Sequence, residues 1–349
     1  KNPTERAFPQ SSGSAEGPSD VTITAPGHTA HAGAAPASAP AWTSPAWTWP
    51  DALAGVVPPL ISPLTEAGEP DAGALRALVE HILAGGGTGL FVLGGCGEGA
   101  WLTLAQRAAV VRAAVAASAR RAPVLAGCML PATGPAIEAA RSAADAGAAA
   151  LVVGSPYYFA VDAPAQRRHV EAILDAVPLP VLLYNIPPAT HHVLSPELVA
   201  SLAAEPRVLG IKDSAGDLKA FQAFTRIKRA RPDFRVLQGH EAVMGASLLC
   251  GGDGLVPGLG NVAPALFAAL IRAARGAELE RVAALQEQID SLGALHAVEH
   301  WLPALKAAAA HVGIGTGMPS LPLQPLSPES RARVAALVDR YAPGVESRD

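Results

Sequence analysis

A lysine stands at the end of an apolar segment within residues 208–217, Val-Leu-Gly-Ile-Lys-Asp-Ser-Ala-Gly-Asp. The pattern predicts a short buried strand, Val208–Ile211, that presents Lys212, followed by a helix capped by Asp217. A buried ammonium group loses its hydration, and loss of the proton relieves that cost. A neutral amine at a strand end can attack a carbonyl carbon and form an imine. The alternatives are a lysine whose ammonium reaches solvent and a lysine that pairs with Asp213.

A tyrosine ends the preceding apolar segment, Pro180–Tyr184. Consecutive strands of a parallel sheet are usually neighbours and end at the same edge, so Tyr184 and Lys212 are expected to face one pocket. A phenol there can carry protons during dehydration of the carbinolamine and during C–C cleavage. The alternative is a tyrosine that only packs. The pair favours imine chemistry on a ketone.

Other strand ends carry residues that could bind a substrate. The glycine-rich segment Gly94–Gly99 offers backbone amides able to hold a carboxylate, or else forms only a tight turn. A Pro-Tyr-Tyr segment lies at 155–159, Gly-His-Glu at 239–241 and Pro-Gly-Leu-Gly at 257–260. We expect these segments to surround the same pocket.

Eight short apolar segments alternate with amphipathic helical segments from about residue 52. The segments are Val56–Ile61, Leu90–Leu93, Pro123–Gly127, Ala150–Val153, Pro180–Tyr184, Val208–Ile211, Arg235–Leu237 and Gly254–Val256. Apolar strands alternating with helices indicate a parallel sheet covered on both faces, and eight such units predict an α/β fold, a closed (β/α)8 barrel. A doubly wound open sheet is the alternative, disfavoured because the first turn, Ser62-Pro-Leu-Thr-Glu66, is not glycine-rich.

The chain divides into three predicted parts. Residues 1–50 are rich in Ala, Pro, Ser, Gly and Thr and are expected to be disordered, because they cannot bury enough apolar surface. Residues 51–275 are expected to form the barrel. Residues 276–349 are expected to form a C-terminal helical extension.

Composition excludes several classes of partner. The chain has 349 residues, a formal charge of −4 and three widely spaced cysteines. The sequence has no cluster of Lys and Arg interleaved with aromatic residues, so nucleic-acid binding is not predicted. No apolar run reaches the roughly 20 residues of a membrane span. The cysteines fit neither a disulfide framework nor a metal site, which favours a cytoplasmic protein.

Four motifs, in this order and spacing, resemble the dihydrodipicolinate synthase / N-acetylneuraminate lyase family. They are Gly94-Gly-Cys-Gly-Glu98, Pro156-Tyr-Tyr158, Tyr184-Asn-Ile-Pro187 and Gly210-Ile-Lys-Asp213. The resemblance covers about residues 52–343. It implies a (β/α)8 barrel with trailing helices, Schiff-base chemistry on pyruvate or a related 2-oxo acid, no metal or other cofactor, and a homotetramer or homodimer.

The resemblance also implies roles for individual residues. The Schiff-base lysine falls on Lys212, the catalytic tyrosine on Tyr184, and a tyrosine contributed across the dimer interface on Tyr158. The carboxylate-binding loop falls on Gly95 and Cys96.

Two positions depart from the family pattern. Relatives usually carry hydroxyl residues where this chain has Gly95 and Cys96, so the backbone amides remain but the hydroxyls do not. Synthases that use an aldehyde carboxylate place an arginine where this chain has Ala189, which offers no bidentate partner. This departure disfavours the synthase reaction.

Several functions remain open from the sequence. The first is a class I lyase or aldolase that acts on pyruvate or a related 2-oxo acid. An aldehyde is the candidate second substrate. Alternatives are a dehydratase of a 2-oxo or sugar acid acting through the same imine, a true 4-hydroxy-tetrahydrodipicolinate synthase, and a non-catalytic 2-oxo acid-binding scaffold or regulatory protein. A metal-dependent aldolase is disfavoured because the histidines form no clear ligand set. The residues expected to select the substrate are Ala189, His191, Gly239, His240 and Val256.

Overall fold

The structure is a computed structural model that describes residues 48–342. The segment expected to be disordered, 1–50, lies outside the described residues as far as residue 47. Its last two residues belong to the first helix, α1, which Thr48 caps. Residues 343–349 of the expected helical extension also lie outside the described part.

Seven parallel strands form one sheet in the order in which they occur along the chain. They are β1 (Leu90–Val92), β2 (Val124–Gly127), β3 (Ala150–Gly154), β4 (Val181–Asn185), β5 (Val208–Asp213), β6 (Arg235–Gln238) and β7 (Gly254–Leu255). The described helices are α1 (Trp49–Leu53), α2 (Ala72–Ala84), α3 (Leu104–Ser118), α4 (Thr133–Asp145), α5 (Ala163–Ala176), α6 (Pro187–Thr190), α7 (Pro196–Leu202), α8 (Leu218–Arg226), α9 (Met244–Leu249), α10 (Pro264–Arg275), α11 (Leu279–Gly293), α12 (Trp301–His311) and α13 (Pro328–Tyr341). Short 3-10 turns lie at Ile227–Arg229, Glu241–Val243, Gly258–Asn261 and Ala294–Ala297.

The expected first strand, Val56–Ile61, forms isolated bridges instead of a continuous strand. Val56 bridges in parallel to Gly87, just before β1, and to Leu255 of β7. The prolines at 58 and 59 carry no N–H, so this segment cannot make a full ladder. It nevertheless lies between the first and the last strand and hydrogen-bonds to both. The sheet is therefore curled. The predicted α/β fold with a parallel sheet is confirmed, and the expectation of eight full strands is wrong.

Apolar side chains fill the space inside the curled sheet. The interior cluster is Leu53, Val57, Phe91, Leu125, Ala150, Val152, Leu182, Tyr184, Leu237 and Val256. A second cluster lies between the sheet and the helices. Because side chains alternate along a strand, β1 to β4 and β6 contribute to both clusters. Tyr184 belongs to this interior cluster, so apolar side chains inside the sheet surround its ring.

Helix α8 follows the lysine strand as the sequence predicts. The Asp217 side chain accepts hydrogen bonds from the backbone N–H of Lys219 and Ala220, which caps the helix. Phe221 and Phe224 are fully buried against the core. These contacts fix the chain on the far side of the loop that follows Lys212.

The last three helices pack on one another, α12 against α13 and α11 against α13. Helix α11 also packs against α10. Among residues 48–342, no helix is both long and apolar enough to cross a bilayer.

Candidate active site

Lys212 is buried among aromatic rings. It is 3% exposed, so the alternative in which its ammonium reaches solvent is wrong. It lies directly opposite Tyr184 in the β4–β5 register. Its Nζ is 4.1 Å from the centroid of the Tyr184 ring and 5.1 Å from that of Phe91. The two rings meet edge to face, with centroids 6.2 Å apart. The sequence prediction that Lys212 and Tyr184 face one another therefore agrees with the geometry.

Gly239, at the end of β6, is required by the path of the lysine side chain. A Cβ at this position would lie 2.6 Å from Lys212 Cε and 2.2 Å from Ser214 Oγ. A larger residue would displace the lysine. The lack of a side chain at Gly239 therefore leaves room for the side chain of Lys212.

Asp213 does not pair with Lys212, because neighbouring residues of a strand point to opposite faces. Its Oδ1 accepts from Asn185 Nδ2 at 2.7 Å and from the Ala215 N–H at 3.3 Å. Asn185 Oδ1 in turn accepts from the Leu194 N–H at 3.0 Å. Burial raises the pKa of Asp213 above its usual range. This buried pair joins the ends of β4 and β5 and the loop after β4.

The glycine-rich loop after β1 turns back tightly over the end of its own strand. A Cβ at Gly97 would lie 2.8 Å from Leu93 N, and one at Gly99 would lie 2.0 Å from Leu93 O. Leu93 itself has a left-handed backbone, with φ of 61°. By contrast, a Cβ at Gly95 would meet no atom within 4 Å. Gly95 therefore faces open space, while Gly97 and Gly99 are needed for close approach.

A buried ion pair holds this loop against the C-terminal helices. Glu98 Oε1 accepts from Lys306 Nζ of α12, and Glu98 Oε2 accepts from the Ser320 N–H at 2.6 Å. Both side chains are almost fully buried. Burial lowers the pKa of Lys306, and the neighbouring Glu98 partly opposes that shift. The glycine-rich loop thus depends on α12 for its position.

Cys96 is buried beside the loop that follows β7. A Cβ built on Gly258 would lie 3.4 Å from Cys96 Sγ and 3.6 Å from Glu241 Oε1. Glu241 is itself held by the Leu259 N–H and by His296 Nε2. Burial raises the pKa of the Cys96 thiol to about 12. The side chain therefore remains a neutral thiol at neutral pH.

A cavity of about 440 Å³ opens beside Tyr184. Its lining residues come from the loops after β1 to β4 and from the start of α12. They are Leu93, Gly94, Gly95, Glu98, Gly99, Ala100, Trp101, Met129, Tyr157, Tyr184, Ile186, Ala189, Thr190, His300, Trp301 and Leu302. Of the residues predicted from sequence, the cavity brings together Tyr184, Gly95 and Ala189.

Several predicted substrate residues lie outside this cavity. His191 is exposed and ends α6 in a left-handed conformation, with φ of 58°. His240 is exposed, and its ring lies against the position where Gly216 would carry a Cβ. Val256 is buried in the interior cluster under Tyr184. Val256 therefore has a packing position in the interior cluster. Neither His191 nor His240 lines the cavity.

Tyr158 also lies outside the cavity and is 84% exposed, with φ of 83°. Its ring meets Phe159, which is 75% exposed, at a centroid distance of 5.0 Å. A bulky residue in the left-handed region is strained, and such strain persists only where surrounding structure holds it. Two adjacent exposed aromatic rings thus project from the loop after β3.

Sequence reasoning missed several residues of the site. Phe91 lies in an apolar strand, where nothing distinguishes a ring beside the nucleophile from an ordinary core residue. His300 and Trp301 lie in the helical extension, and no local pattern predicts that the start of α12 lines the cavity. Tyr157 was adjacent to Tyr158 in the Pro-Tyr-Tyr segment, which was the one available signal.

The described residues contain no group of three or more His, Cys, Asp or Glu side chains arranged to hold a metal ion. The carboxylate of Glu98, which lines the cavity, forms an ion pair with Lys306.

Comparison with known proteins places the chain among enzymes of one family. Residues 52–341 match the model of the dihydrodipicolinate synthetase family. A 4-hydroxy-tetrahydrodipicolinate synthase of Xylella fastidiosa is 34% identical over 275 residues, which cover 79% of this chain and 90% of that protein.

Solved structures agree. YagE, a prophage protein of the dihydrodipicolinic acid synthase family from Escherichia coli K12 solved in complex with pyruvate, superposes with a TM-score of 0.78 and 31% identity. The superposition covers 82% of this chain and 98% of YagE. The dihydrodipicolinate synthase of Bacteroides thetaiotaomicron gives a TM-score of 0.78 and 34% identity, with the same coverage of both chains. The chain therefore belongs to the dihydrodipicolinate synthetase family and is a lyase of that family.

Proposed function

We propose that this chain is a class I lyase or aldolase that acts on pyruvate or a related 2-oxo acid through an imine on Lys212. The observation that carries the proposal is the buried Lys212 Nζ 4.1 Å from the ring centroid of Tyr184. The relative YagE, solved with pyruvate, supports the choice of 2-oxo acid.

The proposed chemistry begins when the neutral Lys212 amine attacks the ketone carbon. Tyr184 transfers protons so that the ketone oxygen leaves as water and the imine forms. Loss of a proton from the neighbouring methyl carbon then gives an enamine, because the positively charged imine nitrogen accepts the electron pair. The enamine attacks an aldehyde in the condensation direction, and the reverse sequence cleaves the C–C bond.

The backbone amides of Gly95 and Cys96 are proposed to hold the 2-oxo acid's carboxylate, since amides in a tight glycine loop suit an anion. In a homodimer or homotetramer, Tyr158 of a second copy would complete the site. No metal or other cofactor is required, because the protonated imine serves as the electron sink.

Two catalytic alternatives share these residues. A dehydratase would pass through the same imine and enamine but would expel a hydroxyl group from the adjacent carbon instead of breaking a C–C bond. A true 4-hydroxy-tetrahydrodipicolinate synthase would need a partner for the aldehyde carboxylate, which Ala189 does not supply. Family membership among lyases speaks against the non-catalytic scaffold.

Borohydride trapping tests the proposal. Incubation with pyruvate and sodium borohydride is expected to add one reduced pyruvate to the wild-type protein, located on Lys212 by peptide mapping. Lys212→Ala should give no adduct, while the exposed Lys219→Ala should label like wild type. An equal adduct on Lys212→Ala would overturn the assignment.

A further inference from the structure

The cavity beside Tyr184 has no cationic wall. Its lining side chains, all within the described residues, include no lysine and no arginine. Carboxylate and phosphate groups are usually held by arginine forks, lysines or helix N-termini. The cavity therefore offers a second carboxylate no lysine or arginine side chain.

Three polar side chains that line the cavity, Glu98, Thr190 and His300, have hydrogen-bond partners within the chain. Both carboxylate oxygens of Glu98 are engaged, one by Lys306 and the other by the Ser320 N–H. The Thr190 hydroxyl lies 3.1 Å from the Ile186 carbonyl oxygen, to which it donates. His300 Nδ1 accepts from the Leu302 N–H at 3.2 Å. The other polar side-chain groups of the lining include the phenols of Tyr157 and Tyr184 and the indoles of Trp101 and Trp301, all of them on aromatic rings.

The remaining surface is apolar and aromatic. Met129, Ile186 and Leu302 contribute aliphatic and thioether surface, and the two indoles Trp101 and Trp301 are 49% and 39% exposed. The His300 ring stacks on Trp301, with centroids 6.0 Å apart and planes at 26°. Exposed indole rings beside a cavity suit an aromatic ligand, because ring pairs add attraction beyond the buried area.

We infer that the second substrate is an aldehyde whose group beyond the carbonyl is aromatic or otherwise apolar, not a polyhydroxylated or carboxylated chain. The inference rests on the proposed imine function and names its partner. A carboxylate buried against these walls would lose its hydration without a cationic partner to compensate it. A cavity of about 440 Å³ is large enough for a ring-bearing aldehyde.

A panel of aldehydes tests the inference in the condensation direction with pyruvate in excess. Benzaldehyde represents the aromatic class, D-glyceraldehyde the polyol class, and aspartate semialdehyde the carboxylate class. Wild-type kcat/KM is expected to be at least about tenfold higher with benzaldehyde than with either competitor, because unpaired polar groups are rejected by factors of this order or more. A higher kcat/KM with glyceraldehyde or aspartate semialdehyde would overturn it.

Variants at Ala189 separate charge from volume. Ala189→Arg should lower kcat/KM for benzaldehyde and raise it at least about tenfold for aspartate semialdehyde, because it adds a bidentate partner for the carboxylate. Ala189→Leu, of comparable bulk but neutral, should not raise turnover of aspartate semialdehyde. If the neutral variant raised it equally, the missing charge would not explain the selectivity and the inference would fail.

Borohydride trapping distinguishes the two levels of failure. If pyruvate leaves no adduct on Lys212, the proposed imine function fails. If the adduct forms and the carboxylated or polyhydroxylated aldehyde is preferred, only the inference about the second substrate fails.

Discussion

At Lys212, aromatic rings take the place that a carboxylate would hold in an ordinary buried pair. Among the described residues, no carboxylate forms an ion pair with the amine. Its Nζ lies instead over the rings of Tyr184 and Phe91. A carboxylate would bind the ammonium strongly, whereas ring faces attract it by about 2 kcal/mol when desolvated. The rings therefore leave the Lys212 amine without a fixed ionic partner, which suits the proposed attack on a carbonyl.

Cys96 is expected to act through its backbone alone. Because burial raises its thiol pKa to about 12, the thiolate is scarce near neutral pH. Cys96→Ala should keep kcat/KM within roughly threefold of wild type, since the amide that holds the carboxylate remains. Steady-state assays measure this directly, and iodoacetamide at pH 8 should label the half-buried Cys250 in preference to Cys96. Severe loss of activity in both Cys96→Ala and Cys96→Ser would mean that the thiol takes part in the reaction.

Gly95 is predicted to tolerate a side chain that its neighbours in the loop cannot. A Cβ at Gly95 meets nothing within 4 Å, whereas one at Gly99 would lie 2.0 Å from Leu93 O. Gly95→Ser should therefore melt within a few degrees of wild type, while the matched Gly99→Ser should lose about 3 kcal/mol or more. Thermal and urea unfolding of both variants provide the measurement. Equal destabilisation of the two would show that the loop has no open side at Gly95.

Among the elements, α4 and α5 share a buried histidine that makes their packing depend on pH. His169 of α5 lies 2% exposed, and its Nδ1 is 3.0 Å from the Thr133 hydroxyl at the start of α4. Burial lowers the pKa of His169 from its ordinary value of 6.5 to about 4. The neutral ring is therefore the form that fits between the helices.

The lowered pKa of His169 predicts a loss of stability in acid. Between pH 6.5 and about pH 4, His169 is protonated in the unfolded chain but stays neutral in the folded protein. The free energy of unfolding therefore falls as the pH falls through this window. At pH 5 this group should cost about 2 kcal/mol relative to pH 8.

Urea unfolding of wild type and His169→Gln at pH 5 and pH 8 isolates the effect of the histidine. The glutamine can keep a hydrogen bond to Thr133 but does not titrate, so the wild type should lose about 2 kcal/mol more than the variant between the two pH values. Identical losses would place the acid sensitivity elsewhere in the protein.

For the whole molecule, the loop after β3 is the feature that a single chain leaves unexplained. Tyr158 and Phe159 stand exposed on a strained backbone, outside the cavity of their own chain. We predict that Tyr158 serves the active site of a second copy in a homodimer or homotetramer. Symmetric assemblies make such an exchange reciprocal, because each copy contributes the same residue to its partner.

Subunit complementation measures this exchange. Lys212→Ala and Tyr158→Phe should each be nearly inactive alone, yet mixed and exchanged subunits should recover about a quarter of wild-type activity. Half of the dimers would then be hybrids, and each hybrid holds one site with both residues intact. Native mass spectrometry, which resolves hybrid dimers by mass, shows whether the subunits have exchanged. Exchange without recovered activity would rule out a shared site.

Local patterns in the sequence predicted the parts of the fold that depend on neighbouring residues. The apolar segments gave the positions of seven strands, and the cap at Asp217 was correct in detail. The pairing of Tyr184 with Lys212 followed from the order of parallel strands. The first segment, Val56–Ile61, was wrong as a full strand, because apolar patterning does not register the missing N–H groups at Pro58 and Pro59.

Contacts between distant parts of the chain could not be predicted in this way. The indole of Trp301 reaches the cavity only because α12 packs over the loop after β1. The partner of Glu98 was equally hidden, since Lys306 lies in a helix whose apolar neighbours give no sign of an ion pair. His191 and His240 illustrate the converse: a reactive side chain near a strand end need not turn toward the site.

The ion pair between Glu98 and Lys306 joins residues 208 positions apart in the chain. A ribosome that adds about 5–20 residues per second needs roughly 10–40 s to proceed from one to the other. During that interval the glycine-rich loop has been synthesised but lacks the lysine that neutralises its carboxylate. The glycine-rich loop therefore cannot form its contacts with α12 until that helix has been synthesised.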